Sequence, residues 1–192
     1  MGQLIDGKWQ TNPGKGGSGD GRFHRAETQF RNWITADGSA GPTGEGGFPA
    51  ASGRYHLYIS LACPWAHRTM VVRKLKGLED HIGASSVAAL MLEGGWEFTE
   101  GFPDPLLGKK HVYEIYQEAD AGYTGRASVP VLWDKQRATI VSNESADIIR
   151  MLNSAFDDSV ADAGIDLYPA PHREEINRIN AVVYDTVNNG VY

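Results

Sequence analysis

The apolar residues between positions 55 and 153 recur at two spacings that alternate along the chain, and this alternation limits the fold more than any other feature. Tyr55 to Leu61 is rich in aromatic and branched residues and reads as a strand. From Pro64 to Leu78 the apolar residues Met70, Val71, Leu75 and Leu78 fall at helical spacing. A second strand is expected over Val87–Met91, then a polar insertion from Glu93 to Lys110, then a helix from His111 to Ala119. Val129–Asp134 and Thr139–Ser142 form a hairpin over a Lys135-Gln136-Arg137 turn, and a helix runs from Asn143 to Asn153. The order is βαβ, then α, then ββα. A βαβ crossover requires a parallel pair and a hairpin an antiparallel one, so the sheet of this α/β chain is mixed.

That order is the order of a thioredoxin-like fold, expected over residues 54–156. Residues 1–53 differ sharply: they hold 13 of the 23 glycines, so little of their length can bury apolar surface. They read as an extension laid on the neighbouring fold, anchored by Trp9, Phe23, Phe30, Trp33 and Phe48. A linker rich in Asp, Ala and Gly follows Asp157. Tyr168-Pro169-Ala170-Pro171 then opens a helical pattern that continues towards the chain end, so residues 157–192 read as a linker and the first part of an all-helical domain. The net charge of −6, without runs of Lys or Arg, argues against nucleic acid as a partner. No apolar run approaches the ~20 residues of a membrane helix, and Met1–Asp6 lacks the pattern of a signal peptide. A single cysteine fits a reducing compartment, and a cytoplasmic location is expected.

That cysteine stands at the first strand-to-helix junction, Ala62-Cys63-Pro64-Trp65. Proline suits the first helical position, which places Cys63 at the N-cap. Unpaired amides and the positive end of the helix dipole then face its sulfur and favour thiolate over thiol. The opposing reading is an inert, buried cysteine. Ala66 occupies the place of the second thiol of a dithiol oxidoreductase. A mixed disulfide on Cys63 would therefore need an external thiol, with glutathione the obvious candidate. Ser128-Val129-Pro130 opens the third core strand, where thioredoxin-fold proteins often carry a cis proline whose preceding residue pairs with a peptide-like substrate. Asn143-Glu144-Ser145 starts the last core helix. Glu144 suits an ammonium group, and the Ser145 hydroxyl and amide suit a carboxylate, the two charged groups of a γ-glutamyl end; a simple helix start is the alternative. His67, one turn after Cys63, reads as an exposed helix residue rather than a base. His24, His56, His81, His111 and His172 show no metal-ligand spacing, and the N-terminal glycines match no phosphate-binding signature.

The runs Leu57–Thr69, Val129–Asp134, Ile140–Ser145 and Tyr184–Tyr192, with Phe30-Arg31-Asn32-Trp33 in the extension, closely resemble the glutathionyl-hydroquinone reductases, the Xi class of glutathione transferases. The resemblance implies an enzyme that takes the glutathionyl group of a glutathionyl-hydroquinone onto its cysteine, releases hydroquinone, and is freed by a second glutathione. By position it makes Cys63 the nucleophile, and Val129, Glu144 and Ser145 glutathione-binding residues. It adds Trp96 and Arg126 as further glutathione contacts, against the alternatives of a hydrophobic plug and a surface charge. Tyr192 would lie at the quinone side of the site, or have no role. Glutathione is then a co-substrate, no metal is needed, aromatic quinone conjugates are the partners, and a homodimer is expected. Members of this family continue into a whole helical domain, so the chain reads as a fragment that ends within the first helix of that domain. Two rivals stand beside this reading. One is an Omega-like thioltransferase acting on dehydroascorbate or mixed disulfides; the other is a non-catalytic thioredoxin-fold module that binds glutathione or a protein.

Overall fold

The computed structural model describes residues 2–11, 27–157 and 164–190. Phe23 and Tyr192 lie outside the described residues, as does most of the expected linker. The central sheet has four strands in the order β4-β3-β5-β6. β3 (Tyr55–Ser60) lies inside it, parallel to β4 (Gly83–Val87) and antiparallel to β5 (Val131–Asp134), and β5 pairs with β6 (Thr139–Ser142) antiparallel. All six residues of β3 are buried, as a strand covered on both faces requires. With α1 (Pro64–Leu75), α2 (Val112–Ala119) and α3 (Ser145–Ser154) this is the expected mixed thioredoxin-like fold.

Several boundaries differ from the sequence expectation, three of them for a clear local reason. The second strand lies at Gly83–Val87 rather than Val87–Met91. It is an edge strand, so it tolerates the polar Ser85 and Ser86, while the more apolar residues after it turn away as Ala88 N–H donates to the Glu97 carbonyl at 2.9 Å. Helix α1 stops at Leu75, not Leu78. Gly77 takes a left-handed φ of 63°, and the Leu78 and Gly77 amides donate back to the Arg73 and Lys74 carbonyls at 2.9 and 3.1 Å. That pair of bonds is a Schellman motif, which needs a glycine at this point. Leu78 is still fully buried, packing from beyond the helix end. The last core helix begins at Ser145, with Glu144 as its cap.

The extension contains structure the sequence reading omits. β1 (Gln3–Ile5) and β2 (Lys8–Gln10) form a hairpin, with φ of 47° and 71° at Asp6 and Gly7. Asp-Gly is the preferred pair for a two-residue hairpin turn, so the signal was present. Leu4, Ile34 and Phe48 are buried with the main core. The expected anchors Trp9, Phe30, Trp33 and Phe48 all pack on that core. The segment 30–32 also runs beside β6: Asn32 N–H donates to the Val141 carbonyl, and Asn143 N–H to the Phe30 carbonyl. It thereby covers a sheet edge that would otherwise expose unpaired backbone groups. At the other end, a short 3-10 turn (Ala170–His172) leads into α4 (Arg173–Val183) and a π-helical turn (Tyr184–Asn188). No residue of α4 is buried. Among the described residues, no helix is long and apolar enough to cross a membrane, and no group of three or more His, Cys, Asp or Glu side chains could hold a metal ion.

Candidate active site

Cys63 caps α1 with extended backbone (φ −101°, ψ 112°), and Pro64 occupies the first helical position. The chain must leave the buried strand β3 and enter a helix within three residues, which leaves the Cys63 side chain at the helix start rather than in the core. The thiol is partly exposed, and its Sγ lies 3.5 Å from the Val129 carbonyl oxygen, to which it donates. The Val129–Pro130 peptide bond is cis. His67 is exposed; its backbone amide donates to the Cys63 carbonyl at 3.0 Å, and its side chain does not line the cleft described next.

A cleft of about 480 Å³ opens over Cys63. Its walls include Trp96, Arg126, Val129, Glu144 and Ser145, so the structure brings together every described residue singled out from the sequence as a site candidate. Trp96 is half-buried, packing on the core while facing the cleft; the plug and the wall are one arrangement. Arg126 is exposed at the rim, and its guanidinium has no ion-pair partner among the described residues. Tyr192 is not described, but Tyr184 of the last helical turn reaches the cleft wall.

The Glu144-Ser145 corner is held from several sides. The Glu144 carboxylate accepts from the Ala146 amide at 3.0 Å, which is the helix cap, and from the Thr28 hydroxyl of the extension at 3.3 Å. Capping and ligand binding are therefore not alternatives, since a carboxylate offers about four acceptor positions. Arg68 of α1 donates to Ser145 Oγ through Nε at 3.1 Å and Nη2 at 2.7 Å, and its Nη2 lies 3.8 Å from Glu144. Burial lowers the Arg68 pKa, opposed by the neighbouring Glu144 charge. Behind the corner, Arg31 of the extension pairs with Asp147 of α3.

Tyr116 joins this corner to the Val129 loop. Its phenol donates to the Ser128 carbonyl at 2.8 Å and accepts from the Asn143 side-chain amide at 3.1 Å. Tyr116 is fully buried, which pushes its pKa up and keeps it a neutral donor. The Asn143 Oδ1 atom is buried without a hydrogen-bond partner among the described residues. Two flanks come from the extension. Leu4 and Gly125 exchange backbone bonds at 2.9 Å, fixing the loop that leads to Arg126. Gly125 is required there, because a Cβ would meet the Tyr123 hydroxyl at 2.7 Å. Trp9 stacks on Tyr113 at 4.8 Å and donates from its indole to the Glu93 carbonyl at 3.1 Å, bracing the insertion that carries Trp96. Trp9, Glu27, Thr28 and Gln29 themselves line the cleft, a role the glycine-rich composition of their surroundings concealed.

Comparison with known proteins agrees with this fold. Residues 62–155 match the family described as glutathione S-transferase, N-terminal domain. The chain is 57% identical, over its whole length, to the glutathionyl-hydroquinone reductase YqjG of Escherichia coli K12, covering 60% of that protein. It is 50% identical to the glutathionyl-hydroquinone reductase PcpF of Sphingobium chlorophenolicum, covering 59% of it. Among solved structures, glutathione-bound YqjG superposes over the whole chain and 57% of its own length, with a TM-score of 0.87 and 54% identity. The chain thus spans about 60% of the length of the curated relatives it matches. On the fold and this agreement along the whole sequence, the chain is similar over its entire length to the glutathionyl-hydroquinone reductases and to glutathione transferases of the Xi class, and residues 62–155 match a glutathione S-transferase N-terminal domain.

Proposed function

We propose that the protein is a glutathione-dependent oxidoreductase that removes glutathione from glutathionyl-hydroquinones, and that residues 54–156 form its glutathione-binding part. The observation that carries this reading is the convergence of Cys63, Trp96, Arg126, Val129, Glu144 and Ser145 on one cleft. In it, a γ-glutamyl end would lie at the Glu144-Ser145 corner, with its ammonium on the carboxylate and its carboxylate on the Ser145 hydroxyl and amide. The peptide portion would run beside Val129, and the Arg126 guanidinium, without an ion-pair partner among the described residues, would take a second carboxylate. That pose brings the ligand sulfur towards Cys63.

The chemistry then balances in two steps. The Cys63 thiolate attacks the sulfur of the conjugate; the sulfur–carbon bond breaks, and the aromatic carbon takes the electron pair and a proton to give hydroquinone. Cys63 is left as a mixed disulfide with glutathione. A second glutathione thiolate attacks the glutathionyl sulfur and releases Cys63 as thiolate, with glutathione disulfide as product. Residues 1–192 hold no second cysteine, so no thiol of this part of the protein competes for that step. A helical domain that completes the quinone pocket, a homodimer and a reducing, cytosolic setting belong to the same proposal, with Tyr184 and Tyr192 at the quinone side.

The test is Cys63→Ala in the full-length protein. Glutathionyl transfer is expected to vanish while glutathione binding and the fold persist. Turnover within a factor of about ten of the parent would refute the assignment, because removal of a nucleophile costs far more than that.

A further inference from the structure

Arg68 lies behind the cleft rather than in its wall, and its contacts with the Glu144-Ser145 corner are not accounted for by the chemistry above. It is held on α1 with its guanidinium 4.9 Å over the Trp65 ring. Two of its N–H groups converge on one atom, Ser145 Oγ, at 3.1 and 2.7 Å. A guanidinium can only donate, and a serine hydroxyl has two acceptor positions and one hydrogen. With both acceptor positions taken, the hydroxyl hydrogen must point elsewhere. Ser145 is buried yet lines the cleft, so the remaining direction is into the cleft.

We infer that Arg68 is a positioning residue that locks the Ser145 hydroxyl as a donor and so makes this corner selective for a carboxylate. An unconstrained serine hydroxyl rotates and serves a donor or an acceptor equally. Locked from behind by two bonds, it presents only hydrogen. Glu144, 3.8 Å from the same guanidinium, presents only acceptors. The pair therefore reads the two charged groups of an α-amino acid end separately, ammonium on one residue and carboxylate on the next. A lysine would keep the charge but has no planar fork with which to occupy one oxygen twice.

The inference rests on the glutathione reading, and its test separates the two. Binding is measured by calorimetry in the full-length Cys63→Ala protein with three ligands. These are glutathione, 4-aminobutyryl-cysteinylglycine, which lacks the α-carboxylate, and glutaryl-cysteinylglycine, which lacks the ammonium. The parent is expected to prefer glutathione to each analogue by about 10-fold or more, the range of a hydrogen bond to a charged group. Arg68→Gln should reduce the preference over the decarboxylated analogue to about 3-fold or less and leave the preference over the glutaryl analogue standing. Ser145→Ala should lose the same preference, and adding Arg68→Gln to it should change nothing further. Arg68→Lys should behave as Arg68→Gln does, and serves in its place if the neutral variant fails to fold. Retention of the carboxylate preference without Arg68 overturns the inference, as does an equal loss of affinity for all three ligands in a folded variant. If the parent itself does not distinguish glutathione from either analogue, the glutathione reading falls and takes the inference with it.

Discussion

Residues 27–53 contain no helix and only isolated bridges, while residues 173–183 form a regular helix of about three turns. Yet Ile34 and Phe48 are each 1% exposed, and α4 buries no residue at all. Local regularity and attachment to the fold are thus separate properties. The extension is held through long-range contacts: Phe30 stacks on Tyr123 and meets Tyr116 edge-on, Arg31 pairs with Asp147, and Arg54, itself paired with Asp134, donates to the Gly47 carbonyl. Helix α4 has a two-sided sequence, but its Ile179, Val182 and Val183, and Val187 of the turn after it, face outward with exposures from 38% to 55%. Helical order in proteins comes chiefly from packing of an apolar face, and this face is unpacked.

Phe48→Ala tests the extension's side of the comparison, and the expected effect is the largest. Removing this buried ring should destabilise the protein by about 3–5 kcal/mol, as core aromatic truncations do. Chemical denaturation reads it. A loss below about 1 kcal/mol would mean that the extension is draped over the core without supporting it.

The seam between extension and site comes next. Glu144→Gln should weaken glutathione binding by about 1.5–3 kcal/mol, the value of a hydrogen bond to a charged group. Thr28→Val, which removes the extension's bond to the same carboxylate, should cost less, about 0.5–1.5 kcal/mol. An unchanged affinity in Glu144→Gln would remove that carboxylate from the binding site.

Acid should separate the regions as well. His56 of β3 is buried and bonded to the Ser85 hydroxyl at 2.8 Å, and burial pushes its pKa down to about 4. An unfolded histidine titrates near ~6.5, so the unfolded state binds the proton first. Stability from this residue is complete above that value and is lost as the pH falls from it towards the folded pKa. Between pH 7 and pH 5 the sheet should lose roughly 1–2 kcal/mol. Hydrogen exchange in β3 and β4 at both pH values checks this, and His56→Gln should flatten the dependence.

The smallest effect is expected at the other end. Val182→Ser should change the stability of the chain by no more than about 0.5 kcal/mol, because the side chain is already 53% exposed. A cost above about 1.5 kcal/mol would show that α4 is packed in solution.

What could be read from the sequence follows the same division. The order of β3 through α3 was legible because its apolar residues keep the period of the element they belong to, and the Cys63-Pro64 junction lies where two periods meet. The misplaced second strand shows the limit: Gly83–Val87 is an edge strand, and edge strands need not be apolar. Helix α1 ends at Gly77 although Leu78 continues its apolar spacing, because the left-handed turn, not the pattern, stops the helix. In the site, Cys63, Val129 and Glu144-Ser145 were legible from short-range chemistry. Arg68 stands in the same run as Cys63, but its role depends on Ser145, far along the chain. Trp9 and Thr28 reach the cleft through contacts with Tyr113 and Glu144, which no local signal announces.

The central claim is that Cys63 is the acceptor of a glutathionyl group in a cleft built to hold it. The most direct measurement is intact-protein mass spectrometry of the full-length enzyme after a single exposure to a glutathionyl-hydroquinone. The account predicts a mass increase of one glutathionyl group, mapped to Cys63, formed together with one equivalent of hydroquinone and removed by added glutathione. Hydroquinone release with Cys63 unmodified at every time sampled, and undiminished in Cys63→Ala, would contradict it.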